Sequence, residues 1–230
     1  MRLSPRKDKG PASIGSRART PWAGKVQLRY ATTLTDEQYV CQRAWERANL
    51  PSCPLHPRGG CGLCRHASYE RKRPAGARVA RYYCPDGRMT FSLLPDCLAS
   101  RLSGSLGAVE ATVAAAEAAP SLTQAAQQLR PELVDVRSAL RWLRRRTAPV
   151  RAALVALVTL LPELSGVPPT VAAVGGVLGE PVLVVARQRL SQRLQSLSSP
   201  VGFRPRVRTR RRQSRGGQHN AGPDPPPPLR

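Results

Sequence analysis

Residues 53–66, CPLHPRGGCGLCRH, place five side chains able to bind a metal within fourteen positions: Cys53, His56, Cys61, Cys64 and His66. Thiolate sulfur and imidazole nitrogen are the ligands zinc prefers, and a two-residue spacer lets a pair of them converge on one ion. Cys53 and His56 have that spacing, and so do Cys61 and Cys64. Small zinc folds usually draw their other two ligands from a second, distant knuckle. The next cysteine is Cys84, in YYCPDGRMTF, and glycine stands at position 87 where its partner would be expected. The first cluster must then supply three ligands instead of two. The expected set is Cys53, His56, Cys61 and Cys84, with Cys64 as the substitute. Cys53, Cys61, Cys64 and Cys84 form the rival set, and a metal-free loop is the alternative to both. His66 is expected to face solvent, Cys97 to lie in the core and Cys41 to be a packing residue. A catalytic zinc needs an open coordination position and a nearby base. The local acids Glu70 and Asp86 offer no such pairing, so the expected cofactor is a structural Zn2+.

Three kinds of element must position these residues. SYERKR (68–73) and ARVARYYC (77–84) read as strands around a PAG turn. Knuckle, hairpin, knuckle is the plan of a zinc ribbon. Upstream, residues 34–49 suggest a helix capped by Thr35, with Gln38 completing a capping box and Tyr39, Ala44 and Trp45 on its apolar side. Downstream the pattern turns helical. SLGAVEATVAAAEAA is a first helix, and SLTQAAQQLR a second, capped by Ser121 with Leu122, Ala125, Ala126 and Leu129 on one face. DVRSALRWLRRR is a third, capped by Asp135. Its inward stripe is Val136, Ala139, Leu140 and Leu143, and Arg137, Arg141, Arg144 and Arg145 share the other face. Such a pair describes a helix-turn-helix, whose second helix enters the major groove. It equally describes two bundle helices with a solvated Arg side, and the connecting PELVDV lacks the usual turn glycine.

The succession CPLH…YERKRPAGARVARYYCPDGRMTFSLLPDCLA, SLTQAAQQL and ALRWLRRR resembles the N-terminal zinc-ribbon plus helix-turn-helix region of bacterial insertion-sequence transposases and their transposon-associated relatives. The likeness covers residues 53–146. It implies recognition of transposon-end or operator DNA. Cys84 matches the first cysteine of the second knuckle, Gly87 departs from the second, and Arg88, Thr90, Phe91 and Ser92 keep the flanking pattern. Such transposases also carry a catalytic domain with three separated carboxylates that hold two metal ions. After Thr147 the sequence holds only Glu163, Glu180 and Asp224 as acids and shows helical apolar runs, not strands, so no transposase chemistry is expected.

The charge balance agrees with a polyanionic partner. There are 37 Lys and Arg against 14 Asp and Glu, a formal net charge of +23. Arginine-rich, GC-biased coding explains Arg over Lys but not the scarcity of acids. Residues 204–215 hold seven arginines in twelve positions, including Arg210, Arg211 and Arg212, which are expected to meet nucleic-acid phosphates without reading sequence. Aromatics are only 4%, so the core must be built from Ala, Leu and Val. The N-terminus lacks the apolar stretch of a secretory signal, and cysteines outside a secreted context favour thiols and metal over disulfides. The longest apolar run, 167–186, contains Pro168, Pro169, Glu180 and Pro181 and reads as buried helices broken near Gly179–Pro181 in preference to a membrane span.

These readings give a mainly α fold with a small β-hairpin zinc-ribbon-like unit, a helix-turn-helix followed by a helical bundle, and disordered termini. The expected divisions are a basic N-terminus at 1–33, a helix plus ribbon at 34–98, the helix-turn-helix at 99–147, a dimerisation or docking region at 148–199 and an Arg/Pro-rich tail at 200–230. The expected function is a non-enzymatic DNA-binding protein of a bacterial mobile element, cytoplasmic and nucleoid-associated. Its expected partners are DNA and, through 148–199, a second copy, with neither membrane nor small-molecule substrate. A zinc-stapled adaptor that binds another protein, or a degenerate transposase fragment, is the alternative.

Overall fold

The computed structural model describes residues 25–205. Its architecture is mixed α and β. The sheet has four strands instead of the expected hairpin: β1 (Lys25–Tyr30), β2 (Cys64–Glu70), β3 (Arg78–Cys84) and β4 (Met89–Pro95), in the order β1-β4-β3-β2. The β2–β3 hairpin falls where SYERKR and ARVARYYC place it. β4 extends it into an antiparallel three-stranded unit, and β1 adds in parallel to β4, pairing Val26 with Phe91 and Leu28 with Leu93. Residues 25–30 therefore correct the expectation of a disordered 1–33. Val26, Leu28 and Tyr30 alternate with polar residues, and their partner strand lies some sixty positions on, so only tertiary pairing turns them into a strand. Central strand β4 is buried along nearly its whole length.

Helix α1 (Asp36–Cys41) carries the Thr35–Gln38 capping box in both directions. It is shorter than expected because Arg43 turns left-handed, at φ 47°, and a 3-10 turn at Ala44–Glu46 follows. That turn brings the Trp45 ring to 5.9 Å from the Tyr39 ring, and both are buried. Cys41, expected to pack, is exposed at the end of α1, whereas Cys97 is buried as expected.

Five more helices follow: α2 (Leu106–Ala118), α3 (Leu122–Leu129), α4 (Val136–Leu160), α5 (Val171–Leu178) and α6 (Val182–Arg189). Ser105, Ser121 and Asp135 cap α2, α3 and α4 through their side-chain oxygens. Ala125 and Ala126 of α3 pack with Ala139 and Leu143 of α4, small residues that let the two helices approach closely. The division expected at 147/148 falls inside α4, which runs 25 residues through Pro149. Proline removes one helical hydrogen bond, on the order of 3 kcal/mol in an unsupported helix. Burial of Val150, Ala153, Leu154 and Leu157 beyond it holds the helix together. The break between α5 and α6 lies at 179–181, as expected, with a 58° bend. No single described helix is long and apolar enough to cross a membrane.

The expected divisions do not correspond to separate cores. The largest cluster joins Tyr39, Val79 and Leu94 to Leu106 and Val109 of α2, Leu154 of α4, Val174 of α5 and Leu183 of α6. Two carboxylates on α2 fasten the later helices. Glu110 accepts from the N–H groups of Val182 and Leu183, both at 2.8 Å, at the start of α6. Glu117, seven residues on and so on the same face, accepts from Val171 N–H at 2.9 Å, at the start of α5. Orphan N–H groups and the positive end of the helix dipole both favour a carboxylate there.

Candidate metal centre and basic surface

The structure brings Cys53, His56, Cys61 and Cys84 together, with their ligand atoms all within 4.8 Å of one another. His56 Nδ1 lies 3.6 Å from Cys53 Sγ and 3.4 Å from Cys84 Sγ. The three cysteines are buried and His56 is half-buried. The 53–56 loop closes on itself through His56 N–H donating to Cys53 O at 3.0 Å. Cys61 is set between Gly60 (φ +80°) and Gly62 (φ +64°), left-handed positions that suit glycine and turn the loop back toward Cys84. Cys84 ends β3, and Gly87 N–H donates to its sulfur at 3.3 Å.

Position 87 explains how this set replaces a second knuckle with two ligands. A Cβ on Gly87 would lie 3.3 Å from Cys84 Sγ and 3.8 Å from His56 Cε1. The imidazole thus occupies the neighbourhood from which a cysteine at 87 would reach the site, and the first cluster offers three of the four candidate ligands. Cys64 does not join. It opens β2 opposite Tyr83 and is exposed, with its sulfur 3.9 Å from Tyr83 O. The rival set is not assembled. His66 is exposed, as expected, beside the Tyr83 ring at 5.9 Å.

The thiols are not equivalent. Burial raises Cys84. Burial would raise Cys53 too, but hydrogen bonds from the His56 side chain and from the backbone of Leu55 and His56 outweigh it and bring that thiol down. Three thiolates and one imidazole are the donor set of a closed, tetrahedral structural zinc site, and the four residues present fit that role.

Arg137, Arg141, Arg144 and Arg145 are all exposed on the first turns of α4, opposite buried Ala139 and Leu143. Arg141 donates to Ser138 Oγ at 2.8 Å and lies 3.8 Å from Asp135. Beside this face the Trp142 ring meets two more guanidinium groups, Arg130 at 4.8 Å and Arg146 at 4.3 Å. Arg210, Arg211 and Arg212 lie outside the described residues.

The largest buried charged side chain was not legible in the sequence. Arg187 is fully buried and donates to five backbone carbonyls: Val201, Pro95, Asp96, Leu98 and Pro200, at 2.6–3.2 Å. Its guanidinium lies 5.3 Å from the Phe203 ring. Burial lowers its pKa to about 9, still charged at neutral pH. The available signal was its place on the apolar stripe Leu183–Arg187–Leu190, where a solvated arginine does not belong.

No protein-family model matches the chain, and comparison with curated proteins and with solved structures returned no match.

Proposed function

We propose that this chain is a non-enzymatic DNA-binding protein of a bacterial mobile element, with a structural zinc ion held by Cys53, His56, Cys61 and Cys84. In this reading α3 and α4 form a helix-turn-helix, and α4 presents its arginines to the duplex. The observation that carries the reading is the exposed row Arg137, Arg141, Arg144 and Arg145. Among the described residues only Arg141 has an acidic neighbour in ion-pair range, Asp135 at 3.8 Å, so three of the four guanidinium groups keep their charge for an outside anion. The inward side of the same turns is fixed against α3 by Ala139 and Leu143, so the row is held on a packed helix. The likeness of residues 53–146 to the DNA-reading region of transposases supports DNA as the anion. Four protein ligands leave zinc no open position for chemistry, which supports a scaffolding role for the metal.

The test is fluorescence anisotropy with labelled duplex DNA across a salt series. Wild-type affinity is expected to fall steeply with salt. Arg141→Ala is expected to weaken a bound site by about 1–3 kcal/mol if it reads a base, or to reduce the salt slope by about one if it meets a phosphate. Failure of the wild type to retain DNA at low salt would sink the reading and favour the protein-binding adaptor.

A further inference from the structure

A second basic feature lies off the exposed arginine row. Lys72 and Arg73 at the β2–β3 turn, Ser105 at the start of α2, and Trp142 and Arg146 of α4 line a cavity of about 470 Å³. Three segments far apart in sequence thus converge on it. The turn is fastened in place by Gly104 N–H donating to Arg73 O at 3.2 Å. None of Lys72, Arg73 and Arg146 makes an ion pair among the described residues. Arg130, which also meets the Trp142 ring but does not line the cavity, is paired with Glu132. Asp36 is the one carboxylate on the cavity wall, against three cations. Burial lowers the pKa of Arg146, and repulsion from Arg130 and Arg73 lowers it further. Crowding like charges in a concave site is unfavourable, and an anion entering the cavity would relieve it.

We propose that this cavity binds a phosphate group, with Lys72, Arg73 and Arg146 as its counter-charges and Trp142 as the wall that holds Arg146 in position. Guanidinium and ammonium donors converging on one concavity suit the several acceptor oxygens of a phosphate. The cavity is larger than one phosphate, leaving room for a second or for an attached sugar. The inference goes beyond the DNA reading and stands without it: the phosphate can come from a free oligophosphate or from a nucleic-acid backbone.

The test uses full-length protein in low salt, titrated calorimetrically with pyrophosphate and by anisotropy with duplex DNA. The variant is Lys72→Gln/Arg73→Gln. The charge-matched control is Arg193→Gln/Arg204→Gln, two exposed arginines that neither line the cavity nor lie on α4. Thermal melting confirms that both remain folded, and Arg146→Lys, which keeps the charge but loses the planar fork, is a second probe. The expected result is pyrophosphate binding by the wild type, weakened about tenfold or more by the cavity pair and left within about twofold by the control. If only DNA binds, the cavity pair must weaken it about tenfold and the control pair clearly less, which places a backbone phosphate in the cavity. Equal losses for the two pairs, no loss for the cavity pair, or no binding of either ligand by the wild type overturns the proposal. Pyrophosphate binding lost with the cavity pair, in a protein that holds no DNA, keeps the phosphate site and rejects the DNA reading.

Discussion

Around Cys84 the core is a cluster of nine buried residues, and three of them are Cys53, Cys61 and Cys84 themselves. Around Arg187 the core has 28 buried residues drawn from the sheet and from α2, α4, α5 and α6. At the first end, a third of the core is thiol, with the three sulfurs and His56 close enough to share an ion. At the second, apolar burial carries the structure, and buried charges are spent on backbone groups: Arg187 on five carbonyls, Glu110 on two N–H groups. The contrast shows two ways to hold loops and helix ends without a large aromatic core. One gathers side chains close enough to share an ion; the other satisfies orphan backbone groups with a single side chain. The two should fail independently.

Removing a metal ligand is the largest break. Structural zinc supplies on the order of 10 kcal/mol to the folding of small zinc units. Cys84→Ser is expected to abolish stoichiometric zinc by metal analysis and to erase hydrogen-exchange protection over residues 53–93. Protection in α4 to α6 should persist, since their burial lies elsewhere. A purified wild type without zinc, or a variant whose sheet stays protected, would reject a metal-held end. A swap sharpens the same point. His56→Ala should lose the metal, and adding Gly87→Cys should restore it with four thiolates. The new Cβ would meet Leu55 Cδ1 at 2.5 Å, at the far end of a side chain that can turn aside. Restoration would show that His56 fills the role of the missing second-knuckle ligand.

At the other end the strongest break is Arg187→Met. It fills similar space but leaves five carbonyls without their donor. Stranding buried polar groups in this way costs about 3–5 kcal/mol, to be read as a drop in denaturant midpoint at unchanged zinc content. Lysine, with three donors on one nitrogen, should rescue only part of the loss. Wild-type stability in Arg187→Met would mean that the carbonyls find water, and that burial alone holds this end.

These two ends differed in how far they could be read from sequence. The candidate metal ligands were legible because coordination imposes local spacing: Cys53-x2-His56, Cys61-x2-Cys64 and the lone Cys84 defined the candidates, and only the fold separates Cys61 from Cys64. The hairpin was legible from its turn, and the caps Thr35, Ser121 and Asp135 from residue type and position. What stayed hidden depends on distant partners. β1 is a strand only because β4 lies beside it, and α4 survives Pro149 only because both flanks are buried. Arg187 looks like one more arginine in a basic chain until residues 95–98 and 200–201 wrap around it. Glu110 was equally silent, although it sits on the stripe Leu106–Glu110–Val113 that the apolar pattern turns inward.

Glu110 supplies the smallest and most discriminating break. Its carboxylate holds two N–H groups with two oxygens, and Glu110→Gln keeps only one acceptor. The expected cost is about 1–2 kcal/mol at neutral pH, below that of Arg187→Met because one bond survives. Burial, the largest influence on this group, raises its pKa above the ordinary 4.5, although the Leu183 and Val182 N–H groups pull it down. The folded chain therefore takes up a proton at higher pH than the unfolded chain. Lowering the pH through the folded pKa toward 4.5 favours the native state at this one position, the reverse of an ion-paired carboxylate. Other carboxylates shift the whole curve, so the informative quantity is the difference between wild type and Glu110→Gln. In that difference the wild type should gain as the pH falls through this window, since glutamine has no proton to take up. A constant difference across the window would mean that solvent reaches Glu110 and that burial does not govern it. Unchanged zinc binding throughout would complete the separation of the two ends.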